Sequence, residues 1–143
     1  MYKKSKTKGF TLLELLIALA ILAIIAAILI PNFFAATDRA RLRSDIQSAR
    51  VIQNAIELYR AERGVVPDGV NPTGGGNMVT ILETLTEAGF IRARDTDIQT
   101  EDADWIIDNH MVFVDISASS DNVKSIYASL SDAERELVVG GGS

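Results

Sequence analysis

Two hydrophobic patterns succeed one another in the first 63 residues. From Leu12 to Ile30 every position except Glu14 is apolar, so a helix here has no polar face. Phe10 to Ile30 would measure roughly 31 Å as a helix, enough for a bilayer core of about 30 Å. Beyond Pro31 the pattern narrows. Leu42, Ile46, Ala49, Ile52, Ile56 and Tyr59 recur at intervals of three or four, the stripe of an amphipathic helix. Arg43, Arg50, Asn54, Glu57 and Glu62 fall largely off that stripe, and Gly64 followed by Pro67 marks a stop. Pro31 has no amide hydrogen and clashes with the carbonyl of Ala27, which predicts a kink between the halves.

The remainder reads as short elements. Val65–Asn77 is a Gly- and Pro-rich loop. Met78–Ala88 has helical spacing, with Asn77 able to cap its start and Gly89 its end. Trp105–Ile107 and Met111–Ile116 are β-rich runs around Asp108-Asn109-His110, a hairpin. Val123–Leu130 reads as a third strand, Ser131-Asp132-Ala133-Glu134 has capping-box form, and Gly140–Ser143 reads as a flexible tail. The predicted class is α+β: a long N-terminal helix packed on a small antiparallel sheet of about three strands.

A chain of 143 residues supports one small domain with an appended segment. With no cysteine, thiol chemistry and disulfides are excluded. Net charge is −5, but Lys3, Lys4, Lys6 and Lys8 crowd the start, and ten basic residues face nineteen acidic ones after them. So acidic a body argues against direct nucleic-acid binding. The lysines place the start of the apolar run on the cytoplasmic side and the body outside. A cleavable secretory signal has a shorter apolar region of about 7–15 residues, so ordinary signal cleavage does not fit.

Glu14 is the anomaly, since a carboxylate in hydrocarbon costs on the order of 2–3 kcal/mol. Gly9-Phe10-Thr11-Leu12-Leu13-Glu14, behind a Lys-rich leader and ahead of the apolar run with Pro31, resembles the class III signal of type IV pilins and pseudopilins. The resemblance implies a pilin-like fold and a cut between Gly9 and Phe10 by a prepilin peptidase, with methylation of the new Phe10 amine. It also implies polymerisation through the N-terminal helix, in which Glu14 meets the Phe10 amine of a neighbouring copy. Implied partners are the chain itself, membrane lipid before assembly, and an inner-membrane platform with a cytoplasmic ATPase. Residues 1–9 would be the leader, 10–31 the transmembrane and filament-core helix, 32–63 its amphipathic half and 64–143 a small C-terminal domain. Ile52–Pro67 also resembles the helix end of major type II secretion pseudopilins. Filament subunit and secretion pseudopilin thus stand side by side, with a membrane-anchored binding domain that never polymerises as the alternative of another class. The precursor is expected in the cytoplasmic membrane and the product in an extracytoplasmic filament.

Catalytic patterns are lacking, and no enzyme is expected. Gly74–Gly76 has no Lys-Ser/Thr after it and reads as a flexible loop rather than a phosphate cradle. His110 lies in a predicted turn without an ordered nucleophile motif. Asp95, Asp97, Glu101, Asp102 and Asp104 crowd one stretch, and the resemblance makes them calcium candidates, because major pseudopilins bind calcium in this part of the chain. The spacing is not that of an EF-hand, and a solvated acidic loop is the competing reading. No other cofactor is expected. Arg39, Arg41 and Arg43 read either as a solvated helix face or as partners for acidic groups on adjacent copies.

Overall fold

A computed structural model describes residues 10–141; the leader with Gly9 and the closing Gly142-Ser143 lie outside the described residues. Helix α1 spans Leu12–Arg63, and Pro31 falls within it. By its internal contacts the chain divides into two units, Met1–Ala36 and Thr37–Ser143.

In the first unit the apolar side chains have no core to enter. Leu12 to Ile30 are exposed throughout, with Leu12 at 78% and Ile25 at 47% of full accessibility. In the second unit every member of the predicted stripe from Leu42 to Tyr59 is buried, joined by Ala55. These residues share one hydrophobic core with α2 (Met78–Glu87) and the strands. The 3.6-residue period therefore becomes a buried seam, and the seam supplies most of the helix's reason to stay folded.

Helix α2 obeys its local signals. The Asn77 side chain accepts from the amides of Val79 and Thr80 at 3.0 and 3.4 Å. At the other end Gly89 N–H donates to Thr86 and Phe90 N–H to Leu85, a Schellman closure. Met78, Ile81 and Leu85 face the core.

Strands β1 (Asp104–Asp108) and β2 (Met111–Asp115) pair antiparallel. Trp105 faces Val114 and Ile107 faces Val112 on the buried side. Asn109 and His110 both have positive φ, 47° and 65°, the two-residue primed turn that matches strand twist. The triple-glycine loop closes against this turn: His110 N–H donates to the Gly74 carbonyl at 2.8 Å. A Cβ on Gly74 would lie 2.5 Å from His110 Nδ1, so the glycine provides a close approach and the segment is a built loop rather than a slack one.

The third strand is not where the hydrophobic run placed it. Residues 123–130 begin within helix α3, Asp121–Tyr127. Val123 and Ile126 are both buried; three residues apart, they would face opposite sides of a strand but share one face of a helix. Strand β3 is instead the two-residue Val138–Val139, parallel to β2, so the three-strand sheet is mixed. Before it, α4 (Asp132–Arg135) carries the expected capping box, with Ser131 N–H and hydroxyl both donating to Glu134 at 2.8 Å. The tail expectation is also revised within the described residues. Gly140 has φ 82° with its Cβ position against Ser117, and a Cβ on Gly141 would enter the Tyr127 ring.

Two polar side chains of α1 fasten these elements. Gln53 Oε1 accepts from Val112 N–H at 2.9 Å while its Nε2 donates to the His110 carbonyl at 3.0 Å. Along the same edge of β2, Val114 and Ile116 donate to Leu137 and Val139 carbonyls. Gln53 thus continues, from a helix, the ladder that β3 begins. Asp45, wholly buried, accepts Gln99 N–H at 2.9 Å and Thr100 N–H at 2.8 Å, anchoring the loop before β1.

Candidate assembly segment

The start of α1 is shaped by its own sequence. Thr11 precedes the helix and Glu14 stands three residues on, a Thr-x-x-Glu capping box. Glu14 N–H donates to Thr11 Oγ1 at 3.2 Å, while Thr11 N–H and hydroxyl donate to Glu14 Oε2, each at 2.9 Å. Glu14 therefore has a local task that its position in an apolar run concealed, although the Thr-x-x-Glu spelling was legible. Both bonds from Thr11 end on Oε2. Oε1 accepts none among the described residues, so a carboxylate oxygen is left for a further donor. Phe10, 77% exposed, sits immediately before this box.

From this box onward the helix is long and apolar enough, by length and composition, to cross a membrane. None of that window is buried within the chain. Toward the end of the first unit Phe33 and Phe34 meet edge-on at 6.4 Å between centroids and border a small apolar cavity with Leu29 and Ile30. An exposed surface this extensive has only lipid or other protein as a stable environment.

The arginines beyond it divide. Arg43 Nε pairs with Glu134 at 3.3 Å, and Arg50 donates to the Ala133 carbonyl at 3.3 Å, so both hold α4 of their own chain. Arg41 lies 3.8 Å from Asp38. Arg39 is exposed and makes no ion pair among the described residues.

The five acidic candidates are scattered in their tasks. Asp95 accepts the Arg92 amide and pairs with Arg94, and Asp104 accepts the Trp105 amide. Asp97 contributes its carbonyl to Gln99, Glu101 its carbonyl to Ser119, and Asp102 takes a positive φ of 55°. Among the described residues no three His, Asp or Glu side chains converge as a metal-holding group. The buried carboxylate that organises this region is Asp45, which sequence reasoning missed because it lies on the helix 54 residues before its partner Gln99. Only its place within the apolar stripe, between Leu42 and Ile46, could have singled it out.

Comparison with known proteins gives a coherent picture of the same segment. Residues 4–30 match the prokaryotic N-terminal methylation motif. The chain is 40% identical over 63 residues to the prepilin peptidase-dependent protein A of Clostridium perfringens, covering 44% of this chain and 45% of that one. It is 31% identical over 67 residues to the type II secretion system core protein G of Vibrio cholerae, covering 47% and 46% of the two chains. Over 33 residues it is 70% identical to the type IV wide pilus major component of Thermus thermophilus, 23% of this chain and 25% of that one. The aligned stretches span about half the length, or less, of these curated relatives. No solved structure matches the chain.

Proposed function

Through its N-terminal half the chain belongs to the type IV pilin and type II secretion pseudopilin family, and on that premise we propose that it is a structural subunit of a pilus-like filament. The precursor is cut between Gly9 and Phe10 by a prepilin peptidase and methylated on the Phe10 amine. It waits in the cytoplasmic membrane through residues 10–31 with its amino terminus inside. An assembly platform with a cytoplasmic ATPase then draws it into a helical homopolymer whose core is the apolar helix. The body supplies the outer surface, and no catalytic step is assigned to it.

The observation that carries this reading is the combination at the head of α1: in its first turn an ionisable Glu14 whose Oε1 accepts no bond among the described residues, within an apolar stretch none of which is buried in the chain. In lipid Glu14 lies near the interface and is tolerable. In a packed helical core it needs a cation, and the new Phe10 ammonium of a neighbour is the one the processing creates. A buried pair of this kind sets register more than it adds stability. Intact-mass measurement of the mature protein tests the first half of the proposal: a chain starting at methylated Phe10 is expected, and one retaining Met1 to Gly9 would defeat it.

A second reading, the major pseudopilin of a type II secretion system, is favoured by the likeness to core protein G of Vibrio cholerae and of Escherichia coli, the latter 27% identical over 88 residues. Deleting the gene separates the two: a pilus subunit takes surface fibres with it, a pseudopilin takes protein export.

A further inference from the structure

Charges on the body are mostly matched within the chain. Arg41, Arg43, Arg94 and Arg135 have carboxylate partners within 4 Å. Arg60 follows Glu57 and Lys124 follows Asp121 at helical spacing, and Arg63 stacks on Tyr59. Arg39 differs. Its neighbours one turn away are Ala35, Ala36, Leu42 and Arg43, so no carboxylate lies at helical spacing and a like charge does.

The complementary exception is on α2. That helix has no basic residue, and Glu83 and Glu87 stand four apart, a like-charge pair that destabilises a helix unless something cationic meets it. Neither makes an ion pair among the described residues. Glu87 also borders a polar cavity with Arg63 and Asp68, so Glu83 is the less compensated of the two. Both line a cavity of about 360 Å³ whose floor is largely apolar, with Val79, Leu82 and Ala93 beside the threonines Thr86 and Thr96. Val79 stands 65% exposed beside it, an apolar residue that the core has not taken. Acidic groups are in surplus on this body, so charge alone does not select a site. An apolar floor with a carboxylate rim does, because it suits an arginine, whose methylene stem buries while its guanidinium bonds the rim.

We propose that the α2 groove is a subunit–subunit contact that receives Arg39 of a second copy of this chain. The inference rests on the polymer reading and adds a side contact between bodies to it. In such a contact Arg39 and the Glu83–Glu87 pair neutralise one another, and the largely apolar floor loses its exposure to water. Two copies related by a screw operation make the contact at every step of a filament, so a small free energy per subunit multiplies along the fibre.

Charge reversal tests it in the full-length protein, expressed with its assembly machinery. Arg39→Glu and the pair Glu83→Arg with Glu87→Arg are each expected to lower sheared filament yield about tenfold, equivalent to a loss near 1.4 kcal/mol per contact. Combining all three changes is expected to restore it. All three sites are exposed, so the thermal midpoint of detergent-solubilised subunits should be unchanged. If a reversal does lower it, the neutral variants R39Q and E83Q replace the reversals, with loss of the salt sensitivity of assembly as the readout. Normal yield from either reversal, or failure of the combination to recover while its subunits melt as the wild type does, would overturn the contact. Absence of fibres from the wild-type chain would instead sink the polymer reading beneath it.

Discussion

Residues 12–30 and 42–59 belong to one helix, yet they answer to different surroundings. The earlier segment is apolar on every side and buries nothing; the later one is apolar along one stripe and buries all of it. Helix propensity hardly separates them, since both are rich in Ala, Leu and Ile. What separates them is where the hydrophobic effect can be satisfied: for residues 42–59 within the chain, for residues 12–30 only outside it. A substitution in the later stretch should register in the folding of the monomer. One in the earlier stretch should register in whatever surrounds it.

The contrast is most vulnerable at the head of the helix. Glu14→Gln retains the Thr-x-x-Gln form of the capping box while removing the charge, so membrane insertion should persist. If Glu14 meets an ammonium in the assembled core, the change costs about 3–5 kcal/mol per subunit and fibres should all but vanish from electron micrographs. Thr11→Ala does the reverse, losing the cap at a cost of about 0.5–2 kcal/mol but keeping the charge. Fibres should survive it in reduced number. Assembly by Glu14→Gln as good as or better than by Thr11→Ala would mean that Glu14 is only a cap.

Next in size, Ile52→Ala should destabilise the body by about 2–5 kcal/mol, read from denaturant unfolding of the detergent-solubilised chain. Leu22→Ala removes a comparable side chain from the other segment. Leu22 is 61% exposed, and its loss should alter body unfolding by less than about 0.5 kcal/mol. A similar cost at both sites would erase the distinction between the two stretches.

These contrasts were legible in the sequence to the degree that a single period sufficed to read them. Leu42 through Tyr59 announced their burial by spacing, and Asn77 and Gly89 announced a helix by its ends. Where two periods competed, composition misled: Val, Ile and Tyr in residues 123–127 favour strands, but the three-residue interval between Val123 and Ile126 decided for a helix. Val138–Val139 is too short to have a period, and its parallel pairing with β2 comes from tertiary position alone. The same holds for Asp45 and Gln53, whose partners lie more than fifty residues away. Asp45→Asn offers a smaller test of that tertiary layer. One carbonyl oxygen would remain and an amide would face the partly buried N–H of Gln99 or the buried N–H of Thr100, a cost of about 1–3 kcal/mol. Amide exchange should rise first at those two positions, and a global loss of protection would contradict a local anchoring role.

A weaker effect is expected at the capping box that the body shares with the apolar segment. Ser131-x-x-Glu134 repeats Thr11-x-x-Glu14 in form, but here the carboxylate's partners are known within the chain. The Ser131 amide and then its hydroxyl hold Glu134 ionised and place its pKa below the ordinary Glu value; burial opposes them, and Arg43 and Arg50 add smaller lowering influences. A carboxylate depressed in the folded chain contributes stability that is fully present above its unfolded pKa, near 4.3, and fades as pH falls through the lower folded value. Thermal midpoints of the wild type and Glu134→Gln should therefore differ modestly at pH 7 and converge in acid, most visibly at low salt. A gap that widened in acid would reverse the assignment. The two boxes then serve as controls for each other: neutralising Glu134 should shift a melting curve slightly and leave fibres intact, whereas neutralising Glu14 should leave melting intact and remove the fibres. The same four-residue spelling would serve a helix end in water and a subunit joint in a dry core, with the difference set by what lies beyond the carboxylate's second oxygen.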